Sequence, residues 1–134
     1  MISYVDDAVQ IHYDVEIGEN CVILDYVSIH PGSRIGANTF ISSNVNIGHD
    51  CIIGANNWIN AGVATGGSSR IGEGCFFGVN SSIGNNIEIG KRNFIAANTF
   101  VSKNTGDDEV YLSCSSEKFR LSSRNFLKYS KILG

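Results

Sequence analysis

Hydrophobic residues recur along this chain at every sixth position. Stepping by six from Val5 to Val101 meets seventeen residues, of which sixteen are hydrophobic and thirteen are Ile. Thr65 is the exception, and no insertion breaks the phase. The residue after the apolar one is often Gly, and three residues after it comes Asn, Asp or Gly in most steps, with Asn20, Asn38, Asp50, Gly62 and Asn104 as examples. Two residues before it sits a small or β-branched side chain such as Val15, Cys21, Ser33 or Thr39. A β-branched residue suits a short, half-buried strand. Gly, Asn and Asp tolerate a positive φ and mark tight corners. A period of six excludes an α-helix, whose apolar positions recur near 3.6. Three strands and three corners make a triangular coil, and successive coils stack as parallel strands ~4.8 Å apart. The pattern predicts an all-β chain, a left-handed parallel β-helix over residues 1–104, forming a prism roughly 25 Å long. Its core is a stack of Ile, so a charged residue in place of Ile35 or Ile53 is expected to unfold it.

The hexads stop near Asn104. Residues 105–112 read as a turn and a final short strand, so 105–134 forms a C-terminal strand and short helical tail. Phe126, Leu127, Ile132 and Leu133, with Lys128 and Lys131, suit a short amphipathic helix packed on the prism or on a neighbour. The ends of such a stack expose sheet edges, and the tail is expected to cover one.

Composition narrows the class. Hydrophobic residues make up 43% and charged ones 17%, too apolar for a disordered segment and too broken by polar residues for a membrane span. The N-terminus has no basic stretch followed by an apolar run, so no signal peptide is expected and the cytoplasm is the expected location. Cys21, Cys51 and Cys75 share the phase of the small residues and read as packing groups, not as a disulfide or zinc set. The net charge of −3 argues against nucleic acid, but it is unevenly spread. Residues 1–69 hold one base and seven acids, whereas residues 70–134 hold nine bases and six acids. A basic C-terminal half suits a phosphate-bearing ligand; surface scatter explains it equally well.

Residues eighteen apart lie above one another in such a prism. One inward column reads Ile11, Ile29, Ile47, Thr65, Ile83, Val101, and Thr65 opens the run Thr65-Gly66-Gly67. The next column holds His12, His30, Gly48, Gly66 and Gly84, and the one after it Tyr13, Pro31, His49, Gly67, Asn85 and Lys103. His49 is therefore expected at a corner, one coil from a pair of glycines with accessible N–H groups. Acetyl transfer from a thioester to an amine or hydroxyl needs a base and N–H donors for the carbonyl oxygen. Histidine supplies the first and a glycine amide such as that of Gly67 the second. Asp50 stands beside His49, and a corner can bring the two together. The residues alone leave open whether His49 is a base or a solvated corner residue. His30 falls in the adjoining coil and lines the same groove or fills structure; His12 is two coils away.

The segments Ile47-Gly-His-Asp-Cys-Ile-Ile-Gly54, Arg70 to Gly84 and Ile95 to Asn104 resemble the hexapeptide-repeat acyltransferases. The resemblance covers about residues 3–112 and is nearest to sialic acid O-acetyltransferase and the UDP-amino-sugar N-acetyltransferases of bacterial glycan synthesis. It implies a homotrimer with acetyl-CoA lying between two prisms, a sugar acceptor, and no metal. It further implies His49 as general base assisted by Asp50, and the Gly67 amide meeting the thioester carbonyl, with Gly66 and Asn85 beside it. Ala96 and Ala97 match a small pair lining the pantetheine channel, and Lys103 and Lys118 fall where phosphates are met. His30 and Trp58 fall on the acceptor side. Some relatives carry a second His at the position of Trp58 and an acid at that of Gly48. Ser115-Ser116-Glu117-Lys118 replaces the usual Pro-Ala-Lys. Relatives often carry an N-terminal nucleotide-sugar domain of βαβ type, with no counterpart before residue 5, so the chain reads as a stand-alone prism or as a piece of a longer protein. Two other readings stand beside this one. A carbonic anhydrase on the same prism would need three His around a metal, and only His12, His30 and His49 exist. A non-catalytic β-helix scaffold would gain nothing from Thr65-Gly66-Gly67 in its core column.

Overall fold

The computed structural model describes residues 2–129. Eighteen two-residue strands, β1 (Tyr4–Val5) to β18 (Val110–Tyr111), are followed by one helix, α1 (Ser123–Tyr129). Up to β17 (Phe100–Val101) every third strand joins the same sheet, which gives three faces, and β18 adds to the sheet of β16 (Phe94–Ile95). Face A has seven strands, from Tyr4–Val5 to Val110–Tyr111; face B has six, from Gln10–Ile11 to Phe100–Val101; face C has five, from Glu16–Ile17 to Glu88–Ile89. All pairings are parallel, and up to β17 the partners are eighteen residues apart: Trp58 with Phe76, Ala64 with Ser82, Arg70 with Glu88. This is the left-handed parallel β-helix of the hexad pattern, with about six turns.

The second residue of each strand points inward, and Ile23, Ile29, Ile41, Ile47, Ile59 and Ile95 are fully buried. The small phase points inward too and ties coil to coil. Ser33 Oγ donates to Gly48 O (2.7 Å) and accepts from the Cys51 N–H (3.0 Å). Cys21, Cys51 and Cys75 are buried and free, so they fill space as expected; burial pushes the Cys75 thiol up. Asn57, in the same phase, donates to Gly54 O and Gly72 O and accepts from the Cys75 N–H (2.7 Å). The small phase thus satisfies backbone groups that a purely apolar core would orphan.

Corners fall where the Asn, Asp and Gly positions put them, with φ between 54° and 80°. Tyr26 (φ 59°) and Arg92 (φ 54°) take the same conformation although neither suits it. At Arg92 a bidentate pair with Asp108 offsets the strain (2.6 and 3.0 Å). Asn104, expected as one more corner, is not among the left-handed residues. The coil shortens there, so that Phe94 pairs with Val110, sixteen residues on. Asn104 Oδ1, Thr105 Oγ1 and Asp107 Oδ1 accept the N–H groups of Glu88, Gly90 and Lys91 (2.9, 2.9 and 2.8 Å). These side chains, not the tail, close the last edge of face C. The helix α1 has no buried residue and makes no substantial contact with a strand of the prism, so of the two placements expected for it, on the prism or on a neighbour, the first is not met. Lys131, Ile132 and Leu133, assigned to the same helix, lie outside the described residues.

Candidate functional site

The strand β8 (Asn46–Ile47) on face B runs through Gly48, His49 and Asp50 into β9 (Ile52–Ile53) on face C. His49 and Asp50 therefore form the B–C corner of their coil. Three features fix it. The Gly48 N–H lies within hydrogen-bond distance of both Thr65 O and Thr65 Oγ1 (3.0 and 3.1 Å). A Cβ at Gly48 would stand 2.6 Å from Thr65 O and 2.8 Å from Gly67 N. Asp50 takes the left-handed conformation (φ 54°) and its N–H donates to Pro31 O (2.9 Å).

That conformation turns the Asp50 carboxylate onto its neighbour, and His49 Nδ1 lies 3.0 Å from Asp50 Oδ2. A carboxylate only accepts, so Nδ1 carries the hydrogen, and in the neutral imidazole this leaves the lone pair on Nε2. The imidazole is exposed at 63% and reaches along the edge to the next coil. There Gly67 lies beneath it: a Cβ on Gly67 would stand 2.3 Å from His49 Nε2.

One expectation needs correction here. The glycines were to offer accessible amides, but Gly67 is buried and its N–H already donates to Asn85 Oδ1 (2.9 Å). The Gly66 N–H is used in the face B ladder, donating to Ile83 O (2.9 Å). The reason is the stacking itself, because every coil presents acceptors to the one before it.

Gly32, a corner position of the hexad pattern, was not singled out as part of the site. It lies eighteen residues before Asp50, in the left-handed region (φ 80°), and a Cβ there would stand 2.1 Å from Asp50 Oδ1. The column position of this glycine, directly over the acid, was the available signal.

The remaining candidates distribute over the prism. Asn85 and Lys103 continue the column of His49 and Gly67 along the B–C edge. Lys103 also lines a cavity of ≈ 320 Å³ with Phe100, Asn104 and Tyr111 at the C-terminal end. His30 stacks on His12 (4.7 Å between centroids, 15°), one coil toward the N-terminus. Ala96 and Ala97 sit elsewhere, on the A–B edge between β16 (Phe94–Ile95) and β17 (Phe100–Val101). Ala97 is exposed, and Gly78 has no room for a Cβ, which would stand 2.3 Å from Ala97 N. Trp58 is on the outside of face A, half-exposed, stacked on Phe40 (4.3 Å) and donating from Nε1 to Asn60 Oδ1 (3.1 Å). Lys118 is exposed between β18 and α1. Among the described residues no three of His, Cys, Asp or Glu converge as a metal site, and no helix is long and apolar enough to cross a membrane.

Residues 14–49 and 68–103 match the family described as bacterial transferase hexapeptide (six repeats). That is more than half of the chain. The chain belongs to the bacterial hexapeptide transferase family. No curated protein matches it. Among solved structures it is similar to the acetyltransferase domain of PglB from Neisseria gonorrhoeae, at 19% identity and TM-score 0.74 over 76% of this chain and 50% of that one. It is also similar to a mutant of perosamine N-acetyltransferase from Caulobacter crescentus solved with CoA and GDP-perosamine, at 20% identity and TM-score 0.59 over 82% and 52%. A mutant of AntD, an N-acyltransferase from Bacillus cereus solved with dTDP and coenzyme A, gives 15% identity and TM-score 0.66 over 95% and 86%. The chain thus spans about half the length of the first two, and at these identities the likeness is one of fold.

Proposed function

We propose that this hexapeptide transferase moves an acetyl group from acetyl-CoA to an amine or hydroxyl of a nucleotide-linked sugar. The observation that carries the reading is the pair of contacts at the B–C corner: Asp50 on Nδ1 of His49, and Nε2 of His49 over Gly67. His49 Nε2 takes the proton from the acceptor as its nitrogen or oxygen attacks the thioester carbon. The carbonyl oxygen becomes an oxyanion received by the Gly67 N–H. When the intermediate collapses, the carbon–sulfur bond breaks, and the imidazolium returns its proton to the departing CoA thiolate. No acyl-enzyme forms. Two of the similar structures are N-acyltransferases solved with a CoA and a nucleotide or nucleotide-sugar, so an amino sugar is the first acceptor to try. A cytoplasmic location is part of the same proposal.

A homotrimer with sites between copies is part of this proposal, and two features support it. The candidate residues occupy two different edges, His49 and Gly67 on B–C and Ala97 on A–B, with face B between them. Face A also wears an outward ladder of Val22, Phe40, Trp58, Phe76, Phe94 and Val110, most of it exposed in the single chain. Phe76 stacks on Phe94 (4.8 Å) as Phe40 does on Trp58. A contiguous apolar strip of this kind marks a contact surface, and a second copy of the prism is its proposed occupant.

The test is thiol release from acetyl-CoA against a panel of nucleotide-linked amino sugars and sialic acids, with wild type and His49→Ala. Turnover with at least one acceptor, abolished in the variant while CoA still binds, is the expected result. Release that persists in His49→Ala removes the base, and no release with any acceptor removes the activity.

A further inference from the structure

We infer that the Asn85 carboxamide stands, in the unliganded chain, where the acyl carbonyl oxygen of the donor must go, and that acetyl-CoA engages Gly67 by displacing it. This rests on the roles proposed for His49 and Gly67 and deepens the same site. Gly67 has one N–H, and it donates to Asn85 Oδ1 at 2.9 Å. The carboxamide oxygen and a thioester oxygen are both carbonyl acceptors, so they compete for that single donor.

The local sequence is built around this contact. A Cβ at Gly66 would stand 2.5 Å from Asn85 Oδ1 and 2.5 Å from Asn85 N, so the bare α-carbon of Gly66 is what admits the carboxamide. Gly67 is left buried between the His49 ring on one side and Asn85 on the other. Asn85 itself is exposed and can rotate into solvent. When the acyl group arrives, Oδ1 leaves and the thioester oxygen takes its place on the Gly67 N–H. One hydrogen bond is exchanged for another, and the donor stays aimed throughout. Asn85 acts through Gly67 and is a positioning residue.

A purely structural alternative exists in the same fold, since the Lys91 N–H donates likewise to Asp107 Oδ1 (2.8 Å) at a corner with no imidazole. The experiment must therefore read something that capping does not move. Free CoA has no acyl carbonyl, so the ratio of acetyl-CoA affinity to CoA affinity isolates the contact. Both affinities are measured by calorimetry on wild type, Asn85→Ala and Asn85→Asp, with melting curves to establish that each is folded. Removing the competitor in Asn85→Ala is expected to raise the ratio about two- to tenfold, the worth of one hydrogen bond. Asn85→Asp, a stronger acceptor with a negative charge, is expected to lower it. An unchanged ratio in both variants, with only the melting temperature falling, overturns the inference and leaves Asn85 as a cap. Wild type that binds neither ligand overturns the acetyltransferase reading, and this inference with it.

Discussion

Nε2 of His49 lies over the α-carbon of Gly67, one coil further along the prism, so closely that a Cβ there would be 2.3 Å away. The base and the donor of the proposed reaction are thus set by one stacking contact, and a single methyl group is enough to disturb it. Gly67 φ is not in the left-handed region, so alanine carries no backbone penalty. Gly67→Ala should melt close to wild type, because the exposed imidazole can swing aside. Its kcat/KM should fall by about 10²-fold, the usual cost of misplacing a reacting group by an ångström. Steady-state kinetics beside a melting curve checks both halves.

The hydrogen bond of His49 to Asp50 depends on Gly32 in the preceding coil. Gly32→Ala adds a methyl 2.1 Å from Asp50 Oδ1 at a residue with φ of 80°. The strain should cost roughly 1–2 kcal/mol of stability, and the displaced carboxylate should no longer hold the tautomer of His49. Asp50→Asn removes the carboxylate without the strain. Both variants should lose activity, and only Gly32→Ala should lose stability. Equal melting temperatures for the two would refute the assignment.

If each site is shared, two inactive chains should rescue one another. His49→Ala spoils the B–C edge, and Ala97→Trp fills the A–B edge that faces a neighbour. Coexpressed in equal amounts, they should regain about a quarter of wild-type activity, since one junction in four pairs an intact edge with an intact edge in a cyclic assembly. Mixed trimers that stay inactive would put both edges in one chain's site.

The shortened last coil is fastened by Arg92 and Asp108. The hydrogen bond from Arg92 holds the Asp108 carboxyl below its ordinary value, so the native state binds this proton less readily than the unfolded chain does. The contribution is therefore present above the unfolded carboxylate value of about 4 and fades as the pH falls below it. Asp108→Asn should melt lower than wild type at neutral pH, and the gap should narrow below about pH 4. A gap that is constant across pH would mean that charge is not the cause.

The architecture was legible because it repeats. A stack of Ile at every sixth position with Gly, Asn or Asp at the corners has one way to bury its apolar residues. Register, eighteen-residue columns and the closeness of His49 to Gly67 all follow from that single period. Tyr26 and Arg92 escaped the corner rule because the neighbouring coils dictate their backbone against local preference. What the period could not give was the use to which each backbone group is put. That the Gly67 N–H is already donated to Asn85, that Asp50 turns onto His49, and that Asn104 seals the edge of face C instead of turning a corner are decided by side-chain rotamers and by where the stack ends. Those depend on contacts between coils eighteen residues apart in the sequence, and a repeat identical in every coil carries no information about them.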